Sequence, residues 1–225
     1  MPSPAGSSGT SSPGFRLRAE RPVVRISDRR EPGPPLSGRA MEPRPFHVRL
    51  AHPDELAALG NLVAEAYAAL PGMPGPEEQP GYYAMVRDAA ARVRNPAIRV
   101  LAAVTPGGEL LGSADFIEDM AHYGSGGTAS TRVSAAGIRL LAVAPSARGQ
   151  GIGKALTRHC IEQARRLGRS ALVLHTTRAM ETAWRMYEQL GFRRTPDLDF
   201  RQGNLEVFGF ELPLGQGSGS PGRAV

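Results

Sequence analysis

The sequence predicts a mixed α/β (α+β) fold built on a sheet of about six or seven strands. The connections between elements indicate this class, because the early strands form a hairpin and the later strands alternate with helices. Hydrophobic residues make up 41% and charged residues 21% of the 225 residues, which is ordinary globular composition. This composition excludes a wholly disordered chain and supplies enough apolar material for one core.

Apolar runs and turn residues predict the strands. Thr105-Pro106-Gly107-Gly108 is a turn signal between two apolar segments and predicts a β-hairpin. The run at 138–144 is almost continuously apolar, which is typical of a strand buried on both faces. In chain order, the predicted strands are residues 46–50, 98–104, 110–116, 138–144, 171–175 and 205–212.

Apolar residues at helical spacing predict four helices. The first begins at Pro53 and Asp54, and the Pro- and Gly-rich segment 71–76 ends it. Gly168 and Gly191 are suitable C-terminal stops for the last two helices. The other three predicted helices cover residues 82–93, 150–167 and 181–190.

The chain is predicted to consist of one domain between two tails. Pro, Gly and Ser account for 19 of residues 1–40, and no apolar period is sustained there. This first tail has no continuous apolar core, so a secretory signal is not expected. The domain is predicted over residues 41–212, followed by a flexible Gly- and Ser-rich end at 213–225.

Charge and cysteine content limit the classes of function. Residues 1–40 hold seven arginines against three acidic residues, so they carry +4 of the total net charge of +6. The domain itself is therefore only mildly basic, and no nucleic-acid partner is predicted for it. The single cysteine, Cys160, excludes an intramolecular disulfide and a multi-cysteine metal site. No apolar run approaches the ~20 residues of a membrane span, and a cytoplasmic location is expected.

The segment from Leu141 to Lys154 carries the most specific chemical signal. A buried strand enters a glycine-rich turn and a helix begins at once, which predicts main-chain N–H groups free to bind phosphate. Arg148 can add positive charge. A P-loop is excluded, because Arg148 stands at its first glycine position and Ala155 at its hydroxyl position. A dinucleotide fingerprint also fails, since Lys154 stands at its last glycine position.

The remaining pattern, Arg148-x-x-Gly151-x-Gly153, resembles the acetyl-CoA-binding motif of the GNAT superfamily of N-acetyltransferases. The segment 183–192 is similar to a second signature of that family, Tyr-x-x-x-Gly-Phe, with Tyr187 at its first position. The resemblance covers about residues 46–212. It implies a GNAT-like, mostly antiparallel sheet with about four flanking helices and a splayed cofactor cleft.

The resemblance implies acetyl-CoA as co-substrate and no metal. Main-chain groups of Leu141 and Val143 would hydrogen-bond the pantetheine arm like an added strand. Amides of the glycine-rich loop would hold the pyrophosphate. The implied cofactor-binding residues are Leu141, Ala142, Val143, Arg148, Gly149, Gln150, Gly151, Ile152, Gly153, Lys154, Thr176, Met180 and Ala183.

The implied reaction is direct acetyl transfer to a primary amine of a small molecule or a peptide. The neutral amine attacks the acetyl carbonyl, a tetrahedral oxyanion forms, and coenzyme A leaves. The Val143 N–H is the expected donor to the oxyanion. Tyr187 is the expected donor to the departing thiolate, and a core tyrosine is the less favoured interpretation of this position.

Two positions depart from the family pattern. Many relatives carry a glutamate, the usual base, where this sequence has Gly137. Relatives often carry an asparagine where this sequence has Met180, which removes one polar contact to the pantetheine. The remaining candidates for the base, each acting through water, are Glu118, Asp119, His122 and His175.

Three alternatives stay open at the level of sequence. Because Gly137 removes the usual base, a non-catalytic acyl-CoA-binding sensor is the main alternative to an enzyme. The basic tail could bind nucleic acid. The acidic residues Asp115, Glu118 and Asp119 could attract a cationic amine or form a solvated loop. No membrane partner is expected, and a homodimer is left open.

Overall fold

The computed structural model describes residues 44–215, which contain eight strands. The strands are β1 His47–Leu50, β2 Ile98–Val104, β3 Leu110–Ile117, β4 Ala135–Val143, β5 Ala171–Thr176, β6 Arg193–Arg194, β7 Phe200–Gln202 and β8 Leu205–Pro213. Their order in the sheet is β1-β2-β3-β4-β5-β8-β6, and β7 pairs with β8 off this path. Only β4 and β5 pair in parallel, so the predicted mixed, mostly antiparallel sheet is confirmed.

Five helices flank the sheet where four were predicted. They are α1 Leu56–Ala68, α2 Pro80–Arg87, α3 Ala89–Val93, α4 Ile152–Arg166 and α5 Glu181–Gln189. The additional helix arises because the predicted helix 82–93 is interrupted at Asp88. The Asp88 side chain accepts a hydrogen bond from the Ala91 N–H at 2.7 Å and so caps a new helix.

The strand boundaries differ from prediction mainly at short edge segments. β6 and β7 were not predicted, because two or three residues are too few to show an alternating pattern. β8 extends to Pro213, and the buried Leu214 donates its N–H to the Ser170 carbonyl at 2.8 Å. Ordered structure therefore continues two residues past the predicted end of the domain. The predicted tail 1–40 lies outside the described residues.

Helices pack on both faces of the sheet. Alternate residues of β2 point to opposite layers: Leu101 and Ala103 pack in the core beneath α4, whereas Val100 and Ala102 pack with α1 and α3. The sheet is thus the central of three layers. Within residues 44–215, no helix has the length and apolar character needed to cross a membrane.

Candidate active site

The sheet opens where β4 and β5 part. The two strands pair as far as Ile138 and Leu174 and diverge beyond this point. A β-bulge follows directly, where Leu140 and Leu141 of β4 lie opposite a single residue of β3. Leu140 has a φ of +50°, a backbone conformation that is uncommon for any residue except glycine. The extra residue bends β4 and helps to separate it from β5.

The bulge also reverses the alternation of side chains along β4. Before it, Ala136 and Ile138 pack in the core beneath α4. After it, Leu140 and Ala142 pack against α1 and α2, and Leu141 packs on the α4 side. A one-residue shift moves a whole set of side chains to the opposite face. The bulge therefore decides which β4 residues lie on each face of the sheet beside the gap.

A cavity of about 520 Å³, called the loop cleft here, lies between β4, the glycine-rich loop and the start of α5. It is lined by nine of the predicted cofactor-binding residues. These are Leu141, Ala142, Val143, Arg148, Gly149, Ile152, Gly153, Met180 and Ala183. Sequence reasoning missed its opposite wall, which α1 supplies through Ala66 and Tyr67 and the turn after α1 supplies through Leu70.

The glycine-rich loop has the geometry of an anion-binding cradle. Gly149 and Gly151 have φ values of +78° and +80°, which side-chain-bearing residues rarely adopt, and a Cβ on either would meet open space. Gly151 begins α4 without a side-chain cap, and the first turn contains no acidic residue. The amides of Ile152, Gly153 and Lys154 therefore present donors and the positive end of the helix dipole.

The other four predicted residues lie outside this lining. Gln150 spans the loop by donating from Nε2 to the Ser146 carbonyl at 3.3 Å. The Lys154 side chain and Gly151 line a separate surface depression beside β1. Thr176 lines the second cavity described below, and its buried Oγ1 has no hydrogen-bond partner within residues 44–215.

The edge of β4 that faces the gap carries main-chain groups. The Ala144 N–H bonds the Leu111 carbonyl of β3 at 2.9 Å. Because successive residues of a strand direct their amides to opposite edges, the Val143 N–H faces the gap. The Leu141 carbonyl faces the same side, where the Tyr67 hydroxyl lies 3.5 Å away.

A second cavity of about 330 Å³, called the acceptor cavity here, lies on the other side of the gap. Tyr67 and Met180 line both cavities, so they mark the boundary between them. Methionine and aromatic side chains from α2 and β7 form much of the wall. Its polar or charged lining side chains include Gln79, Tyr123, Ser125, Arg139, His175, Thr176, Thr177 and Gln202.

The family model described as the acetyltransferase (GNAT) family matches residues 61–192, more than half of the chain. The chain belongs to the GNAT acetyltransferase family. It is accordingly an acyltransferase, and the predicted GNAT fold is confirmed. Residues 61–192 contain most of α1, the loop and α5, so the match includes every residue that lines the loop cleft.

Solved structures agree with this fold. A GNAT-family acetyltransferase from Staphylococcus aureus Mu50 superposes with a TM-score of 0.57 at 14% identity, covering 76% of this chain and 99% of that one. The yncA structure from Salmonella typhimurium, which contains its cofactor acetyl-CoA, has a TM-score of 0.55 at 21% identity and covers 77% and 96% of the two chains. These likenesses show that this chain shares the GNAT fold.

A curated relative shares a shorter segment. N-acetylaspartate synthetase from Danio rerio is 44% identical over 62 residues, which are 28% of this chain and 22% of the relative. The match therefore spans about a fifth of that relative's length.

Tyr187 of the acetyltransferase is buried in the core. Its ring packs at a steep angle to Phe192, with centroids 5.7 Å apart, and it lines neither cavity. Burial raises its pKa above the ordinary tyrosine value. Because its pKa is raised, the hydroxyl stays protonated at neutral pH and can donate a hydrogen bond. Its predicted catalytic role stays a prediction.

Of the four candidates for the base, only His175 lines the acceptor cavity. Glu118 is paired with Arg99 at 2.7 Å, and Asp119 caps a turn by accepting from the Ala121 N–H. His122 is exposed and bonded to Asn95. None of these three lines the acceptor cavity or the loop cleft.

His175 is joined to Tyr123 in a defined hydrogen-bonding arrangement. Its Nε2 lies 2.8 Å from the Leu198 carbonyl, which can only accept, so Nε2 carries the proton in the neutral ring. Nδ1 is then an acceptor, and the Tyr123 hydroxyl at 3.0 Å donates to it. The Tyr123 ring stands over Gly137, where a Cβ would lie only 2.5 Å from it. Sequence reasoning missed Tyr123, since no motif marks it.

The acidic residues considered for attracting a cationic amine do not face the acceptor cavity. Asp115 is fully buried in β3 and bonds Arg92 of α3 at 2.6 Å. Burial raises its pKa, and the neighbouring arginines oppose that rise. Within residues 44–215, no group of three His, Cys, Asp or Glu side chains is arranged to hold a metal ion.

Proposed function

We propose that the protein transfers the acetyl group of acetyl-CoA to an amine held in the acceptor cavity, by direct attack in a ternary complex. The observation that carries this proposal is the meeting of two cavities at the divergence of β4 and β5, with Tyr67 and Met180 on their boundary. Reactants held on either side of that boundary would be neighbours. Such positioning removes much of the entropic barrier to a two-substrate reaction.

The loop cleft suits acetyl-CoA, which supplies the thioester when bound. Gly149 and Gly151 expose main-chain amides that a side chain at either position would strain out of place. The amides from Gly149 to Lys154 would hold the diphosphate, and Arg148 would add a positive charge. Leu141 and Val143 would hydrogen-bond the pantetheine arm through the open edge of β4.

Main-chain and side-chain donors would stabilise the charges that develop. The Val143 N–H would donate to the acetyl oxygen as it gains negative charge. The electron pair of the broken C–S bond leaves on sulfur. The donor that the sequence predicts for this sulfur is the Tyr187 hydroxyl, although its ring packs in the core and lines neither cavity. Because burial raises the pKa of Tyr187, this donor would keep its own proton.

Tyr123 and His175 would accept the proton that the amine loses as the new C–N bond forms. The amine proton would pass to the Tyr123 oxygen while the hydroxyl proton of Tyr123 passes to His175 Nδ1. The imidazolium would then donate from both nitrogens, and the Tyr123 hydroxyl could donate to the Ile138 carbonyl, 3.3 Å away. This exchange leaves every donor with an acceptor.

Titration calorimetry with acetyl-CoA tests the binding half of the proposal. We expect Gly151→Val to weaken binding at least ~10-fold, because valine cannot keep the φ of +80° that aims the loop amides. Gly108→Val is the matched control, since Gly108 has a φ of +85° and equally open surroundings in the distant β2–β3 turn. If a folded Gly151→Val protein binds as tightly as the parent, the assigned diphosphate site is wrong.

Release of free thiol from acetyl-CoA in the presence of an amine panel tests the catalytic half. We expect turnover, and we expect Tyr187→Phe to slow it while leaving acetyl-CoA affinity unchanged. Tight binding with no turnover on any amine would favour the non-catalytic acyl-CoA sensor instead.

A further inference from the structure

The acceptor cavity contains one charged side chain, and it is positive. Arg139 lines this cavity, and none of the other residues lining it is an aspartate, a glutamate or a lysine. Burial raises the pKa of Tyr67 and of Tyr82, and the positive charge of Arg139 opposes that rise. Burial lowers the pKa of His175, and Arg139 adds to that lowering. It is therefore placed among the groups that would surround an acceptor.

Arg139 is held in position by contacts that leave part of its guanidinium available. Nη1 donates to the Tyr123 carbonyl at 2.7 Å, and the guanidinium lies over the Tyr123 ring, 5.7 Å from its centroid. No carboxylate within residues 44–215 forms an ion pair with it. Nε and Nη2 remain as donors in the planar arrangement that suits a carboxylate.

The nearest buried carboxylate does not neutralise the cavity. Asp115 is the cross-strand neighbour of Arg139, but its short hydrogen bond goes to Arg92 on the far side. The guanidinium groups of Arg92 and Arg139 therefore both lie near the single carboxyl group of Asp115, and only Arg92 bonds it. The local charge is positive whether Asp115 is ionised or protonated, so a second anion would be attracted.

The rest of the acceptor cavity suits a small molecule with an apolar part. Met73, Met85, Phe200 and Leu205 contribute to its lining. Its volume of about 330 Å³ is near the lower end of the range of ligand pockets, roughly 300–1,000 Å³. The lining thus offers apolar contact on several sides and one charged side chain, Arg139.

Provided that the proposed acetyl transfer is correct, we infer that the acceptor is a small amine that also carries a carboxylate, and that Arg139 binds this carboxylate. The same positive charge makes the cavity unfavourable for an ammonium group, so it favours the neutral amine needed for attack. A polyamine, which has several ammonium groups and no anion, is the kind of acceptor that this cavity disfavours.

Binding of acetylated products tests the inference without requiring turnover. We would measure by calorimetry the affinities of N-acetyl-alanine, N-acetyl-methionine and N-acetyl-phenylalanine, each against its carboxamide, in the presence of coenzyme A. At least one acid is expected to bind about 10- to 100-fold more tightly than its amide, the range for a charge-assisted hydrogen bond. Arg139→Gln should remove that difference, and Arg139→Lys should retain part of it.

Arg99→Gln is the matched control, because Arg99 is half-exposed, is paired with Glu118 and lines neither cavity. It should leave the preference for the acid unchanged, and an unchanged acetyl-CoA affinity in Arg139→Gln would show that the variant folds. If none of the three acids binds better than its amide, or if Arg139→Gln keeps the preference, the inference is wrong.

Turnover of the parent amino acids separates this inference from the proposed function. Arg139-dependent binding of an acid, with no acetyl transfer to the corresponding amino acid or to any other amine, would support the anion site and contradict the proposed activity. Acetyl transfer to amino amides as fast as to amino acids, with no effect of Arg139→Gln, would support the activity and overturn the anion site.

Discussion

Gly137 shows how one absent side chain changes the chemistry available to the acceptor cavity. A Cβ at this position would lie 2.5 Å from the Tyr123 ring and 3.0 Å from the Met120 sulfur. The Tyr123 ring therefore occupies the space that a glutamate on β4 would need. Its hydroxyl reaches His175 on the neighbouring strand, so a tyrosine–histidine pair stands beside the position of the missing carboxylate.

The surroundings of His175 set the pH range in which it can accept a proton. Burial is the largest influence and lowers its pKa, and the positive charges of Arg139 and Arg194 act in the same direction. The Leu198 carbonyl and the Asp199 carboxylate oppose this shift. The net pKa lies below the ordinary histidine value of about 6.5, so the ring is neutral at pH 7.

We expect kcat/KM to fall as the pH falls through the pKa of His175, because only the neutral imidazole accepts a proton. Tyr123→Phe keeps the ring over Gly137 but removes the hydroxyl. It should lower kcat by about 100-fold and abolish this acidic limb of the pH–rate profile. His122→Gln, at an exposed histidine, is the control and should preserve the limb. A Tyr123→Phe enzyme with the parental profile would show that the proton takes another route.

At the scale of elements, the bulge in β4 connects the fold to the site. It places Leu140 at the acceptor cavity and leaves the main-chain edge at Leu141 and Val143 facing the gap. The loop and α4 follow within ten residues, so one continuous segment supplies both the wall and the proposed anion site. The position of α1, which closes the other side, depends on how this helix is joined to β1.

Glu55 joins β1 to the start of α1. Its carboxylate accepts two hydrogen bonds from Arg49, at 2.6 and 2.7 Å, and one from the His52 N–H at 2.8 Å. The Arg49 bonds are the main reason that the pKa of Glu55 is lowered to about 2. A carboxyl group whose pKa is lower in the folded state stabilises the fold at pH values above its unfolded pKa, and this contribution is lost as the pH falls through the folded value.

We expect Glu55→Gln to lower the free energy of unfolding by about 1 kcal/mol at pH 7. The difference from the parent should shrink as the pH falls from about 4.5 towards about 2. Urea unfolding at several pH values measures it. Asp54→Asn is the control, because the Asp54 side chain forms no hydrogen bond within the described residues. Equal losses in the two variants, or a loss that does not vary with pH, would contradict the role of this pair.

At the scale of the whole molecule, the core on the α4 side of the sheet connects the strands to the site. It includes Leu101 of β2, Leu156 of α4, Leu174 of β5 and Tyr187 of α5. Cys160 lies fully buried in the same core, and burial raises the pKa of its thiol. The only cysteine of the chain therefore reports on the integrity of the layer that supports the loop cleft.

We expect Cys160 to react with a thiol reagent only when the protein unfolds, since the buried thiol is both inaccessible and protonated. Labelling followed by mass spectrometry should therefore proceed at the rate of unfolding measured independently. Saturating acetyl-CoA should slow the labelling, because a ligand that binds only the native state leaves less ligand-free protein able to unfold. Rapid labelling of native protein would contradict this placement of Cys160.

Much of the fold and of the loop cleft followed from local sequence. The apolar run at 138–144 and the glycines at 149, 151 and 153 act within a few residues, so their pattern is visible in one dimension. The interruption at Asp88 was not visible as such, because a single capping carboxylate divided a segment whose overall pattern is helical. β6 and β7 were too short to predict and exist through their pairing with β8.

The sequence by itself determined the strand, glycine-rich loop and helix start that we propose as the anion site, because glycine conformation and helix-end donors are properties of adjacent residues. Only the tertiary structure decided the acceptor cavity. Tyr123 meets His175, 52 residues away along the chain, and α1 closes the loop cleft from 74 residues away through Tyr67 and Leu141. Contacts between distant segments depend on how all three layers pack, and no local pattern encodes them.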